Sequence, residues 1–210
     1  CPCSGMLRDF QRLGLVDGNS KIIPNPFDQL SIRDSMNVPP ADNSFRFFEG
    51  TVYLVVVGRL EPVKRIGDII CALPAVRKRH PRTELLVLGN GPEQASLEAL
   101  AFRCGMVNEV HFMGHVSNPY FFMAKADVLI AASESEGFGN VLVEAAICNT
   151  HVLSARCPGG PVDIVESIYG ENSASHLFTV GDIADMATKI CGVLDGICTF
   201  DDVKRTEFLT

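Results

Sequence analysis

No apolar run in the 210-residue sequence approaches the roughly 20 residues that a membrane-spanning helix needs. The opening CPCSGMLRDF has neither a basic leader nor an apolar core, so no secretory signal is expected. It also lacks an initiator Met, which fits a fragment better than a whole chain. Clustered basic residues are missing too. Lys and Arg number 18 against 25 Asp and Glu, a net charge of −7. That balance argues against nucleic acid, whose binding needs Lys and Arg facing phosphates. An anionic ligand would have to be held by local geometry, against the overall field. None of the eight Cys forms a CxxC pair. Cys71, Cys104, Cys148 and Cys191 sit in apolar helical patterns as small hydrophobes, which implies a reducing compartment and no disulfide scaffold. Cys1 and Cys3 have no partner at metal-site spacing and read as a solvated terminus. His80, His111, His115, His151 and His176 are scattered without ligand spacing, and no repeat or low-complexity tract occurs. What remains, 47% hydrophobic and 20% charged, is the composition of a globular domain.

From Thr51 onward short apolar runs alternate with amphipathic ones. Residues 51–58, 83–89, 109–114, 126–133, 151–154 and 175–180 read as strands, most of them ending in Gly or Ser. Between them lie helical patterns: Ile66, Ile69, Ile70, Leu73 and Val76 on one stripe, then 93–104, 120–125, 139–148 and 161–167. Ile183, Met186, Ala187, Ile190, Val193, Leu194 and Ile197 mark a last helix. Such alternation predicts an α/β fold with a doubly wound parallel sheet, whose ligands sit beyond the carboxyl ends of the strands.

The first 50 residues follow no such rhythm. Residues 4–15 read as a lone helix, 21–23 as a short extended piece and 24–28 (PNPFD) as a turn. Residues 41–50 carry Phe45, Phe47 and Phe48 among polar residues and read as a linker or docking segment.

Two loops after strands carry the candidate chemistry. In GRLEPVK, Gly58 permits a sharp turn and Arg59 and Lys64 project cations suited to a diphosphate. In SESEGFGNVLVEA, Gly137 and Gly139 allow close backbone approach. The helix that follows presents free N–H groups near Asn140 and Val141, an anion site. Glu136 and Glu144 flank that site and could accept hydrogen bonds from vicinal hydroxyls at either end of a sugar–diphosphate–ribose ligand. The alternative for each loop is plain surface structure: solvated cations in the first, helix-dipole and surface carboxylates in the second.

The order GRL-x-x-x-K, G-x-G-P-E (89–93), V-x-F-x-G (110–114) and E-G-F-G-N-V-L-V-E resembles the C-terminal domain of the retaining glycosyltransferases called group 1, or family four, over residues 4–196. The resemblance implies a Rossmann-like half of a GT-B architecture, with residues 1–50 holding an interdomain segment and the last helix of an N-terminal domain. Residues 51–198 would form the nucleotide-sugar domain and 199–210 a tail. It implies transfer of sugar from a nucleoside-diphosphate sugar, with Arg59, Lys64 and Glu136 catalytic. Gly58, Gly137, Phe138, Gly139, Asn140, Val141 and Glu144 would bind donor, and Gly114, His115 and Val116 would meet the base. No metal or other cofactor is implied, since cations and a helix N-terminus take that role. The acceptor, a glycan or lipid-linked sugar in polysaccharide biosynthesis, would bind the N-terminal half, so this piece alone would bind donor without turnover. A cytoplasmic location, free or peripheral at the membrane, is expected.

The sequence departs from the family at Asn149 and His151, where Gly and Pro are usual. Asn tolerates the left-handed helix cap, and His151 should alter the entry to a strand more than the site. Two other readings share the fold: a sugar-nucleotide epimerase and a non-catalytic nucleotide-sugar-binding module. A third is a domain that has lost its site.

Overall fold

A computed structural model describes residues 3–13, 21, 25–41 and 44–196. Six parallel strands form one sheet: β1 (Val52–Val57), β2 (Thr83–Leu88), β3 (Val110–Gly114), β4 (Val128–Ala131), β5 (His151–Ala155) and β6 (Leu177–Phe178), in the order β3-β2-β1-β4-β5-β6. Sequence order runs outward from β1 in one direction and from β4 in the other. Their adjacency is therefore the switch point at which a doubly wound sheet opens a crevice.

The strands are apolar on both faces because helices cover both. Leu54 and Val56 of β1 join one core with α3 (Ile66–Arg79), α4 (Gln94–Arg103) and α8 (Ile183–Leu194). Tyr53 and Val55 join the other, with α5 (Pro119–Lys125), α6 (Asn140–Ile147) and α7 (Pro161–Tyr169). The same alternation holds in β2, β4 and β5. Each fully buried Val or Leu contributes roughly 1.5–3 kcal/mol, so the central strands anchor the loops at their carboxyl ends.

Some expectations need correcting. The described part of the expected turn, residues 25–28, leads directly into a helix. Asp28 caps a helix, α2 (Gln29–Ser35), by accepting from the Ser31 amide at 3.0 Å, and Ile32 is buried in the core. Periodicity could not reveal a seven-residue helix with a single buried residue. The sixth strand is shorter than expected: Ser175 and His176 belong to a 3-10 turn over 170–176, and the Thr179 amide is taken by the Asp185 carboxylate at 2.8 Å. Cys3 is not solvated. It is buried, its Sγ 3.4 Å from the Gly137 carbonyl oxygen, beside Ser4, whose amide donates to Asp163 at 2.9 Å.

The first helix, α1, spans Ser4–Arg12. Residues 14–15 of the expected helix, 22–24, Ile197, Cys1 and the tail 199–210 lie outside the described residues. Phe45 and Phe47 pack on Tyr53 of β1, and Phe47 also on Phe121 and Phe122, whereas Phe48 is exposed. Asn149 takes φ 65° after α6, the left-handed cap expected of it. The amide of His151 donates to the Asp127 carbonyl at 3.3 Å, a bond that Pro could not make.

His176 supplies a pH test of the core. Its ring stacks on Tyr169, and Nδ1 lies 2.8 Å from the Val152 carbonyl oxygen, which can only accept, so Nδ1 carries the proton. Nε2 is buried without a partner. Burial, with smaller repulsion from His151 and Lys189, pushes the pKa down from 6.5 to about 4, the Val152 bond opposing it. The unfolded chain therefore takes up a proton that the native state resists. Stability is complete above pH 6.5 and is lost as pH falls toward 4, by about 3 kcal/mol. In urea melts across that window, His176→Gln should remove this part of the slope. Equal slopes in both proteins would refute the assignment.

Candidate active site

The loops after β1 and β4 meet at the switch point. After β1, Gly58 adopts φ 153°, and residues 62–64 form a 3-10 turn that aims Lys64 back across the loop. After β4, Ser133 and Glu136 face it. Lys64 Nζ donates to Glu136 Oε1 at 2.5 Å, and Ser133 Oγ donates to the same oxygen at 2.7 Å. The pair is half-sheltered, with the Lys64 side chain 29% and that of Glu136 16% exposed. Arg59, in contrast, extends into solvent at 76% exposure and pairs with Glu61, two residues on, at 2.8 Å. Gly58, Arg59, Lys64, Ser133, Glu136 and Val141 line one narrow cleft.

That cleft shares Val57, Gly58 and Arg59 with a cavity of about 400 Å³, floored by Leu88 and Gly89 and walled by Asn90, His115, Val116 and Pro119. Its size and largely apolar lining suit a small organic ligand. The structure thus brings Arg59, Lys64, Glu136 and Val141 to one cleft, and His115 and Val116 to the adjoining cavity. Gly114 ends β3 at φ 67° behind His115, and its carbonyl accepts from the Gly89 amide at 2.7 Å.

Gly137, Phe138, Gly139 and Asn140 form the entry to α6 and do not line either hollow. Gly139 precedes the helix at φ 96° and supplies no side-chain cap, so the first amides, of Asn140 and Val141, are uncapped by it, while that of Leu142 donates to the Gly139 carbonyl at 2.9 Å. Phe138 stacks on Phe27 with centroids 6.3 Å apart, and the Asn140 side chain accepts from Asn25 at 2.7 Å. Glu144 lies in the second turn of α6, half-buried, where burial raises its pKa. It raises in turn the pKa of Tyr120 and of Cys148, after burial in both, the latter to about 12. No described cation pairs with it.

A family model of group 1 glycosyl transferases matches residues 39–196. The chain belongs to this family. A glycogen synthase of Mycobacterium tuberculosis is 31% identical over 148 residues, 70% of this chain and 34% of that protein. A D-inositol 3-phosphate glycosyltransferase 2 of Catenulispora acidiphila is 31% identical over 181 residues, 81% and 39% of the two chains. The chain therefore spans about a third of the length of such relatives. In fold it matches Anabaena Alr3699/HepE, solved with UDP and glucose, at a TM-score of 0.75 and 24% identity, covering 98% of this chain and 54% of that one. A lipopolysaccharide outer core galactosyltransferase, WaaB, matches at a TM-score of 0.74 and 22% identity, with 98% and 55% covered.

In this group 1 transferase domain several supporting residues escaped sequence reasoning. Gly89 and Gly91, noticed only as part of G-x-G-P-E, let the loop after β2 cross the loop after β1. A Cβ on Gly89 would stand 1.9 Å from the Gly58 carbonyl oxygen, and one on Gly91 2.3 Å from that of Leu60. Gly159 and Gly160 do the same beneath the Glu136 loop, where added Cβ atoms would stand 1.6 Å from the Glu136 oxygen and 2.2 Å from that of Phe138. Their signal was the GG pair in CPGGPVD, but the backbone it crosses lies 22 and 23 residues earlier in the chain. Ser133 carried no signal. Among the described residues no three His, Cys, Asp or Glu side chains gather as a metal site, and no helix is long and apolar enough to cross a membrane.

Proposed function

We propose that this chain is the donor-binding half of a glycosyltransferase that takes its sugar from a nucleoside-diphosphate sugar, with retention of anomeric configuration. The observation that carries the reading is the Lys64–Glu136 pair, one member from each loop at the β1/β4 switch point and beside a base-sized cavity. The base would occupy the hollow walled by His115 and Val116. The ribose hydroxyls would meet Glu144, the diphosphate Arg59, Lys64 and the amides of Asn140 and Val141, and the sugar hydroxyls Glu136 and the backbone of Phe138 and Gly139.

In the reaction the bond between the anomeric carbon and the diphosphate oxygen breaks, and negative charge grows on the leaving phosphate. Cations and a helix amino terminus facing that oxygen stabilise it more in the transition state than in the bound donor. The acceptor's hydroxyl oxygen forms the new bond to the anomeric carbon, and its proton passes to the departing phosphate oxygen. It would be held by a second, N-terminal half, as the partial coverage of the relatives supports. On this reading residues 1–50 bridge the halves, and the enzyme works in the cytoplasm or at a membrane's cytoplasmic face. The cationic side chains and α6 take the place a metal could fill.

Calorimetric titration with UDP, GDP and ADP tests the site. One nucleotide should bind the chain, more weakly by about tenfold in Glu144→Gln, which cannot accept from both ribose hydroxyls as a carboxylate does, and by about threefold in the solvent-exposed Arg59→Ala. Failure of all three at millimolar concentration, with the fold intact, would sink the donor site.

A further inference from the structure

Arg65 and Asn149 are the two non-glycine residues with positive φ among those described, at 49° and 65°. The cap after α6 explains Asn149. Arg65 likewise caps the 3-10 turn over 62–64, its amide donating to the Pro62 carbonyl at 3.0 Å, but a cap of this kind favours Gly or Asn, and a long side chain is rare there. A local conformation held against its cost points to something the surroundings require.

The guanidinium shows what. Nε donates to Asp68 Oδ2 at 2.7 Å, in the first turn of α3, and Nη1 to Glu134 Oε1 at 2.6 Å, in the loop after β4. Gly181 leaves the room: a Cβ there would come within 3.0 Å of Nη2. Below, the Glu134 amide donates to the Val63 carbonyl oxygen at 2.9 Å, so backbone and side chain cross between the loops at the same place. Lys64 directly precedes Arg65, and Glu136 follows Glu134 by two residues. The fork reaches the two carboxylates from separate nitrogens, Nε and Nη1, whereas an ammonium group would have to serve both from one point. Neither Arg65 nor Glu134 lines the cleft or the cavity.

We propose that Arg65 is a positioning residue, tying the loop that carries Lys64 to the loop that carries Glu136 and so holding these two side chains at one spacing. The proposal rests on the donor-site reading above. It makes Arg65 a determinant of diphosphate affinity without contact to ligand.

Two variants separate this role from a merely structural one. Arg65→Gly removes the tie and relaxes the backbone, so its melting temperature should stay within about 3 °C of wild type. Its Glu134 amide should nevertheless exchange with deuterium about tenfold faster. Its affinity for whichever of UDP, GDP and ADP binds should fall about tenfold, with affinity for the corresponding monophosphate changed less than twofold. Arg65→Lys, keeping one carboxylate partner, should fall between. Unchanged exchange in Arg65→Gly would overturn the tie, and faster exchange with unchanged diphosphate affinity would overturn its positioning role. If the wild-type chain binds none of the three nucleotides, the donor reading falls and the positioning role with it, while exchange still reports whether the tie exists.

Discussion

Lys64→Ala is expected to lower affinity for the preferred nucleoside diphosphate by about 100-fold, the largest loss from any single side chain. A charge-assisted hydrogen bond to phosphate is worth about 1.5–3 kcal/mol, and 1.4 kcal/mol is a factor of ten. Lys64 is also the better placed of the two cations. It is half-sheltered from water, whereas Arg59 stands at 76% exposure, where a charge is screened. The unliganded partner of Lys64 is Glu136, so the variant strands a carboxylate with only Ser133 donating to it. A modest loss of stability, roughly 1 kcal/mol, should accompany the loss of binding. The double variant Lys64→Ala/Glu136→Gln separates the two effects. Calorimetry should find binding still weakened by about 100-fold, while thermal melting returns toward wild type. Wild-type affinity in Lys64→Ala would remove the ammonium group from the ligand site altogether.

Gly159→Ala should abolish the contribution of the donor's sugar to binding, measured as the ratio of affinities for nucleoside-diphosphate sugar and nucleoside diphosphate. The new methyl would lie 1.6 Å from the carbonyl oxygen of Glu136, and the residue sits at φ 112°, where side chains are strained. The Glu136 loop has to move by more than an ångström, and a displacement of that size costs on the order of 100-fold in a preorganised site. Two hydrogen bonds would strain with it: Glu136 N to Pro158 O at 3.1 Å and Gly160 N to Gly137 O at 3.2 Å. Gly105→Ala is the matched control. Its φ of 69° also puts Ala on the positive side, at the smaller cost of the left-handed region, with nothing within 4 Å of the added carbon. Both variants should melt below wild type, and only Gly159→Ala should lose the sugar's share. Similar ratios in the two would refute a role for Gly159 beneath the loop.

Both predictions begin from features of unequal legibility. Lys64 and Glu136 stood out because glycines and charged residues directly follow β-branched apolar runs, and such runs identify themselves as buried parallel strands by composition alone. The helices of the sheet layers were equally visible, since each buries a stripe long enough to repeat. Residues 29–35 were not, because one buried Ile makes no period. The end of the sheet differs for another reason: SHLFTV has the composition of a strand, but buried His176 bonds to a neighbouring carbonyl and Asp185 takes the amide of Thr179 three residues later.

By itself, then, the sequence determined the parallel α/β class, the succession of layers and which loops bring glycines and charged residues to the carboxyl ends of the strands, since these depend on periodicity and residue type along a local stretch. Only the tertiary structure decided that β1 lies beside β4, and therefore that Lys64 meets Glu136 across 72 residues at 2.5 Å. It alone showed that Gly159 passes under Glu136 and that Arg65 spans to Glu134. Strand order and chain crossings are set by how whole layers pack, and no local pattern of side chains encodes the partner on the other side.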